Sequence, residues 1–174
     1  MSAKNGINSE KAMLGLKPPM GWNSWNTFTW DISDELIRGI ADKFITEGYK
    51  DAGYEYIVID DCWSLKERDG KGRLVADPVK FPDGIKALAD YIHSKGLKLG
   101  IYSCAGTHTC AGHPGSFEHE FADAEQFAEW GADFLKYDYC FKPRNMSGEL
   151  LYKRMGMALK NCGRDILFSA CNWG

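Results

Sequence analysis

Apolar positions along this chain follow two rhythms that alternate from the N-terminal side onward. Five short runs are apolar almost throughout and predict buried strands: near Pro19 to Trp22, Tyr56 to Asp60, Leu97 to Tyr102, Phe134 to Tyr137 and Ile166 to Ser169. Between them the apolar residues recur at three- and four-residue intervals. Asp34 to Tyr49 puts Leu36, Ile37, Ile40, Phe44 and Ile45 on one stripe, with Ser33 as the N-cap and acids in the first turn. Pro82 to Lys95 does the same with Ile85, Leu88, Ala89 and Ile92, ending at Gly96. Phe117 to Trp130 carries Phe121, Ala124 and Phe127 before Gly131, and Ser147 to Asn161 carries Leu150, Leu151, Met155, Ala158 and Leu159 before Gly163. Apolar strands alternating with amphipathic helices predict right-handed βαβ units and a parallel sheet.

Two parallel architectures compete, an open doubly wound sheet and a (β/α)8 barrel. No Gly-x-Gly-x-x-Gly follows the first strand and no Walker loop occurs, which weakens the nucleotide-binding sheet. Every strand instead ends in residues a core would not choose: Trp22-Asn-Ser-Trp25, Asp60-Asp-Cys-Trp63, Tyr102-Ser-Cys104, Lys136-Tyr-Asp138 and Cys171-Asn-Trp173. Sites built from many strand ends belong to barrels. Barrels have eight strands in about 250 residues, and the 174 residues here carry the pattern of about five βα units, so a fragment or truncated relative of a barrel is expected. A half-barrel with open sheet edges would need the rest of the barrel, a partner chain or self-association.

Composition narrows the partners. The balance of 21 basic and 24 acidic residues, net −3, supplies no basic field for nucleic acid or anionic lipid, and no apolar run approaches the roughly 20 residues that span a bilayer. The polar N-terminus lacks the apolar core of a secretory signal, which predicts a cytoplasmic chain, with secretion as the alternative. Six cysteines without a Cys-x-x-Cys predict scattered thiols with at most one local bridge.

The strand ends hold the candidate chemistry. Lys136 and Asp138 are two apart on one strand, so they share a face about 7 Å from each other. Such a pair is costly in a buried strand unless it forms a structural ion pair or is used. Asp60 and Asp61 would cap a turn or join Asp138 around a common mouth walled by Trp22, Trp25, Trp63, Tyr102, Tyr137 and Trp173. Carboxylates among aromatic faces suit a sugar ring. A retaining glycosidase fits, with one carboxylate as nucleophile and a second as acid/base. A divalent-metal enzyme could use the same acids, but the Lys136 cation would repel the ion and no histidine sits at a strand end. His93 reads as structural.

Six ordered motifs carry a resemblance. They are Pro19-Met-Gly-Trp-Asn-Ser-Trp25, Tyr56-Ile-Val-Ile-Asp-Asp-Cys-Trp63, Gly72-Arg-Leu with Asp77 and Phe81-Pro82, His93 to Tyr102, Thr109-Cys-Ala-Gly-His-Pro-Gly-Ser116 and Leu135-Lys-Tyr-Asp138. From about residue 18 onward the chain resembles glycoside hydrolase family 27, the α-galactosidase and α-N-acetylgalactosaminidase family. The resemblance implies an N-terminal arm over 1–17 and the N-terminal portion of the catalytic barrel over 18–174. It implies a retaining hydrolase of terminal α-galactosyl groups that needs no cofactor and takes a galactoside or oligosaccharide as its partner.

Carried over by motif, Asp138 is the nucleophile, and Lys136 bonds the sugar and holds Asp138 ionised. Asp60 and Asp61 accept galactose hydroxyls, Trp22 forms the pocket's apolar wall and Tyr102 its floor. Asn172 and Trp173 belong to the substrate contacts, and Cys110 pairs with Cys140 in a disulfide. The family's acid/base aspartate comes after strand six, which the chain does not reach. The family's usual partner for Cys62 is replaced here by Trp30, so Cys62 is expected as a free thiol. Asn172 stands where these enzymes often carry glutamate, which leaves galactose, N-acetylgalactosamine and β-L-arabinopyranose open as the donor. A non-catalytic sugar-binding or vestigial domain is the reading of another class.

Overall fold

The computed structural model describes residues 14–173; most of the expected N-terminal arm therefore lies outside the described residues. Five strands alternate with helices: β1 Gly21–Asn23, α1 Trp25–Phe28, α2 Asp34–Thr46, β2 Tyr56–Val58, α3 Gly84–Ser94, β3 Lys98–Cys104, α4 Glu120–Trp130, β4 Phe134–Asp138, α5 Gly148–Asn161 and β5 Leu167–Ala170. All pairings are parallel and the spatial order is β1-β2-β3-β4-β5. A doubly wound sheet reverses its order at a switch point. This one never does, so the fold class is the (β/α)8 barrel type, with five strands among the described residues, the first four each followed by helix.

The period of two along each strand separates two apolar layers. Ile57, Ile59, Leu99, Ile101, Leu135 and Tyr137 are buried in the large core between sheet and helices. Tyr56, Val58 and Phe134 form a second, smaller cluster on the other face with Leu167. Gly100 is required in that inner layer, because a Cβ there would lie 2.6 Å from Val58 Cγ2.

The anticipated helices form with shorter ends. Ser33 caps α2 by accepting from Leu36 N at 3.2 Å, and Ser147 caps α5 by accepting from Leu150 N at 3.2 Å. α2 stops at Thr46 rather than Tyr49, where Gly48 turns the chain at φ 77. α3 starts at Gly84 rather than Pro82, and α4 at Glu120 rather than Phe117, after Glu118 at φ 65. α1 is a single turn where the pattern predicts none.

Three residues placed on core stripes, Ile45, Phe121 and Leu150, are exposed. For Phe121 the reason is explicit. α4 turns Glu120, Asp123 and Gln126 inward, where Arg154, Arg68 and the backbone of Leu74 meet them.

Candidate active site

The carboxyl ends of all five strands lie at one end of the sheet, and backbone strain is gathered there. Among the described residues the non-glycine positive-φ positions are Thr29, Cys62, Glu118, Phe141 and Trp173, one in the loop after each strand. At the opposite end the turns entering β2, β3, β4 and β5 use Gly53, Gly96, Gly131 and Gly163 for the same geometry. Left-handed backbone costs a residue with a Cβ about 1–2 kcal/mol, and such outliers cluster at ligand sites.

Asp60 and Asp61 end the β2 segment, each 2% exposed. Asp60 Oδ2 accepts from Lys136 Nζ at 2.6 Å and Asn23 Nδ2 at 2.7 Å, and its Oδ1 accepts from Asp61 N at 2.9 Å. The ends of β1, β2 and β4 therefore meet on one carboxylate. Asp61 Oδ1 accepts from Cys62 N and Thr109 Oγ1, both at 2.8 Å, and Oδ2 from Ala111 N at 2.9 Å. This ties the loop after β3 over the end of β2. A carboxylate offers about four acceptor positions, so each of the two retains about one.

Asp138 ends β4. Its Oδ2 accepts from Tyr102 OH at 2.9 Å, and its Oδ1 accepts from Tyr139 N at 2.8 Å and Trp173 Nε1 at 2.9 Å. Cys110 and Cys140 form a disulfide with their Cα atoms 5.2 Å apart, and the Cys110 sulfur lies 3.5 Å from Asp138 Oδ2. Trp63 Nε1 donates to Tyr102 O at 2.9 Å and holds β3 to the β2 loop. Burial, together with the negative charge of Asp61 and Asp138, pushes the Tyr102 phenol well above its ordinary pKa. The phenol is thus a fixed proton donor to Asp138 across neutral pH.

Lys136 and Asp138 share a face of β4, yet the Lys136 ammonium is directed to Asp60, not to Asp138. Asp138 already has a neutral donor on each oxygen, whereas Asp60 is buried and otherwise without a counter-charge. On its way Lys136 Nζ passes 5.2 Å from the centroid of the Tyr102 ring. Trp22 is half-buried, edge-on to Phe28 at 6.0 Å, and lines an open groove of about 170 Å³ on the inner sheet face with Asn23, Tyr56, Val58, Phe134 and Lys136. Asn172 is exposed beyond β5. The structure thus gathers Asp60, Asp61 and Lys136 in one hydrogen-bonded set and Tyr102, Asp138 and Trp173 in another, joined where Lys136 passes the Tyr102 ring, while Trp22 and Asn172 stand at the periphery.

Asn23, Thr109 and Cys171 join the site without having been singled out by sequence. Asn23 had a signal, a polar residue at a strand end. Thr109 heads one of the motifs that carry the resemblance, but only the fold brings it to Asp61. The Cys171 thiol faces Asp138, and burial followed by that charge raises its pKa. Cys62 is a buried free thiol, raised by burial and then by Asp61. Lys80 Nζ donates to the carbonyls of both Cys62 and Trp30, at 2.9 and 2.8 Å.

A parallel sheet of barrel type with its strained, carboxylate-lined end at the strand carboxyl termini defines a (β/α)8 ligand site. Residues 17–174 match the family described as alpha galactosidase A, Melibiase_2, and the chain belongs to that family. An α-galactosidase of Coffea arabica is 56% identical over 162 residues, covering 92% of this chain and 43% of its own. The solved α-galactosidase of Saccharomyces cerevisiae with raffinose superposes with a TM-score of 0.89 at 46% identity, over 92% of this chain and 36% of that one. A β-L-arabinopyranosidase of Geobacillus stearothermophilus, solved with arabinose, gives a TM-score of 0.75 at 26% identity, over 88% of this chain and 48% of its own. The chain spans less than half the length of each of these relatives.

Proposed function

We propose that these residues form the donor-sugar side of a retaining glycoside hydrolase that releases terminal α-linked galactose. The observation that carries this is Asp138, a buried carboxylate at a strand end with a hydrogen-bond donor on each oxygen. In the reaction an oxygen of Asp138 attacks the anomeric carbon as the bond to the aglycone oxygen breaks, giving a covalent galactosyl-enzyme. Water then attacks the same carbon, displaces Asp138 and restores the original anomeric configuration. The proton for the departing aglycone comes in this family from an aspartate beyond strand six, a contribution typically of 10²–10⁴-fold.

The remaining acceptor positions of Asp60 and Asp61 take two galactose hydroxyls, and the remaining protons of the Lys136 ammonium a third. Trp22 faces the apolar side of the ring, and Trp173 orients Asp138 while flanking the sugar. Asn172 acts at the periphery as a selector. Galactose is favoured over the pentose by the greater identity to the α-galactosidases.

The test is hydrolysis of an aryl α-galactoside by the complete protein and by Asp138→Asn. Loss of at least about 10³-fold in kcat with the fold retained is expected, since the nucleophile is removed. A variant as active as wild type would defeat the assignment, and a wild type that binds galactose without hydrolysing any α-galactoside would favour the non-catalytic sugar-binding reading.

A further inference from the structure

Two of the five strained residues are large aromatics, Phe141 three positions after Asp138 and Trp173 hydrogen-bonded to it. Phe141 follows Cys140 directly, and the Cys110 sulfur of the Cys110–Cys140 bridge lies 3.5 Å from Asp138 Oδ2. Its backbone is held at φ 47, and its carbonyl accepts from Thr107 N at 3.2 Å. The turn is packed so closely that a Cβ on Gly106 would run into the backbone of Cys140 and Phe141. Phe141 is 62% exposed, and its ring is braced edge-on by His108, with centroids 5.9 Å apart. Trp173 is edge-on to Tyr139 at 6.0 Å, with its Nε1 on Asp138. Lys142 Nζ sits 3.7 Å from the centroid of the Tyr139 ring.

Holding the exposed Phe141 ring on left-handed backbone disfavours the fold twice, once in conformation and once in apolar exposure. We infer that Phe141, braced by His108, is the stacking wall for the sugar linked to the galactosyl anomeric oxygen, a hexopyranose aglycone, with Trp173 on the opposite side. The inference rests on the function proposed above and extends the site beyond the galactose pocket. An aromatic face takes the C–H face of a pyranose, while the Thr107 hydroxyl, the His108 ring and the Lys142 ammonium offer partners for its hydroxyls. Phe141 is then a specificity residue for the leaving sugar and makes no contribution to holding galactose.

The test compares melibiose with galactose by titration calorimetry on the complete protein, in an Asp138→Asn background that stops turnover. Glycine adopts φ 47 without strain, so Phe141→Gly removes the ring without threatening the turn. Melibiose is expected to bind about 5–10-fold more weakly, as loss of one aromatic face implies, with galactose unchanged within about twofold. The thermal midpoint stays the same or rises, and Phe141→Tyr retains the melibiose affinity. If both ligands weaken together, or if melibiose affinity is unchanged, the inference is wrong while the galactosidase reading stands. If the background protein binds neither ligand, that reading falls and takes the inference with it.

Discussion

Lys136 is the residue whose surroundings differ most from what its place in the chain suggests. Two positions from Asp138 on one strand face, it reads as that carboxylate's counter-ion, and the reading fails because strand neighbours are not the only reachable partners. A lysine stem spans the inner layer past Tyr102 and ends on Asp60, which is 3% exposed at its side chain and takes its other two hydrogen bonds from uncharged donors. Removing one member of a buried pair strands the other. With Lys136 itself 25% exposed, the usual cost of several kcal/mol falls to about 1–3 kcal/mol. Lys136→Ala should therefore unfold at a clearly lower urea midpoint, and adding Asp60→Asn should recover part of the loss as a positive coupling in the double-mutant cycle. An unchanged midpoint in Lys136→Ala would show that Asp60 tolerates isolation. Asp138 was legible from the chain as a site residue because its strand, its polar end and its motif agree; its donors Tyr102 and Trp173 come from other strands and become partners only on folding.

At the scale of elements, α4 separates what periodicity reveals from what it hides. The spacing of Ala124 and Phe127 locates the helix correctly, and Gly131 at φ 82 ends it where expected. Its orientation is another matter, because apolar periodicity assigns Phe121 to the core while the fold buries Glu120, Asp123 and Gln126. Buried charge of this kind is stable only when paired, and the partners Arg68 and Arg154 lie 55 and 34 positions away, outside any window of helical periodicity. Arg68 grips Asp123 with both guanidinium NH groups, at 2.7 and 2.8 Å, and also bonds the carbonyls of Gly72 and Gly115, at 2.9 and 2.8 Å. It thus fastens α4 to the loops after β2 and β3. Arg68→Ala leaves a fully buried carboxylate alone and should cost about 3–5 kcal/mol in denaturant unfolding. Arg68→Lys should recover little, since one ammonium cannot reproduce the bidentate geometry. A loss below about 1 kcal/mol would mean that Asp123 finds another partner.

For the molecule as a whole, the alternation of strand and helix made the parallel sheet legible, and the chemistry at strand ends pointed to a barrel. The unreversed strand order then decides it, a property no local pattern encodes. The same two-layer burial has a consequence at alkaline pH. Burial holds the phenols of Tyr102, Tyr137 and Tyr152 above their ordinary pKa, lifts the Cys62 and Cys171 thiols, and pushes the Cys104 thiol up to about 12. Lys98, held charged by its bond to Glu55, titrates late in the same direction. In the unfolded chain the thiols lose their protons from about pH 9 and the phenols from about pH 10, while the folded protein keeps them. Between those ranges the unfolded state binds fewer protons, so stability present below pH 9 is lost as pH rises. Each group contributes up to about 1.4 kcal/mol per pH unit. Urea titrations at constant ionic strength should show unfolding free energy nearly insensitive to these groups up to about pH 9, then falling by at least about 2 kcal/mol toward pH 11. Tyr152→Phe, which removes one phenol whose hydrogen bond to Tyr137 O is 2.9 Å long, should make the alkaline slope shallower by up to one proton's worth. A slope that stays flat through pH 11, or is untouched by Tyr152→Phe, would mean these groups meet water in the folded protein and that the sheet is not sealed against the helices as described.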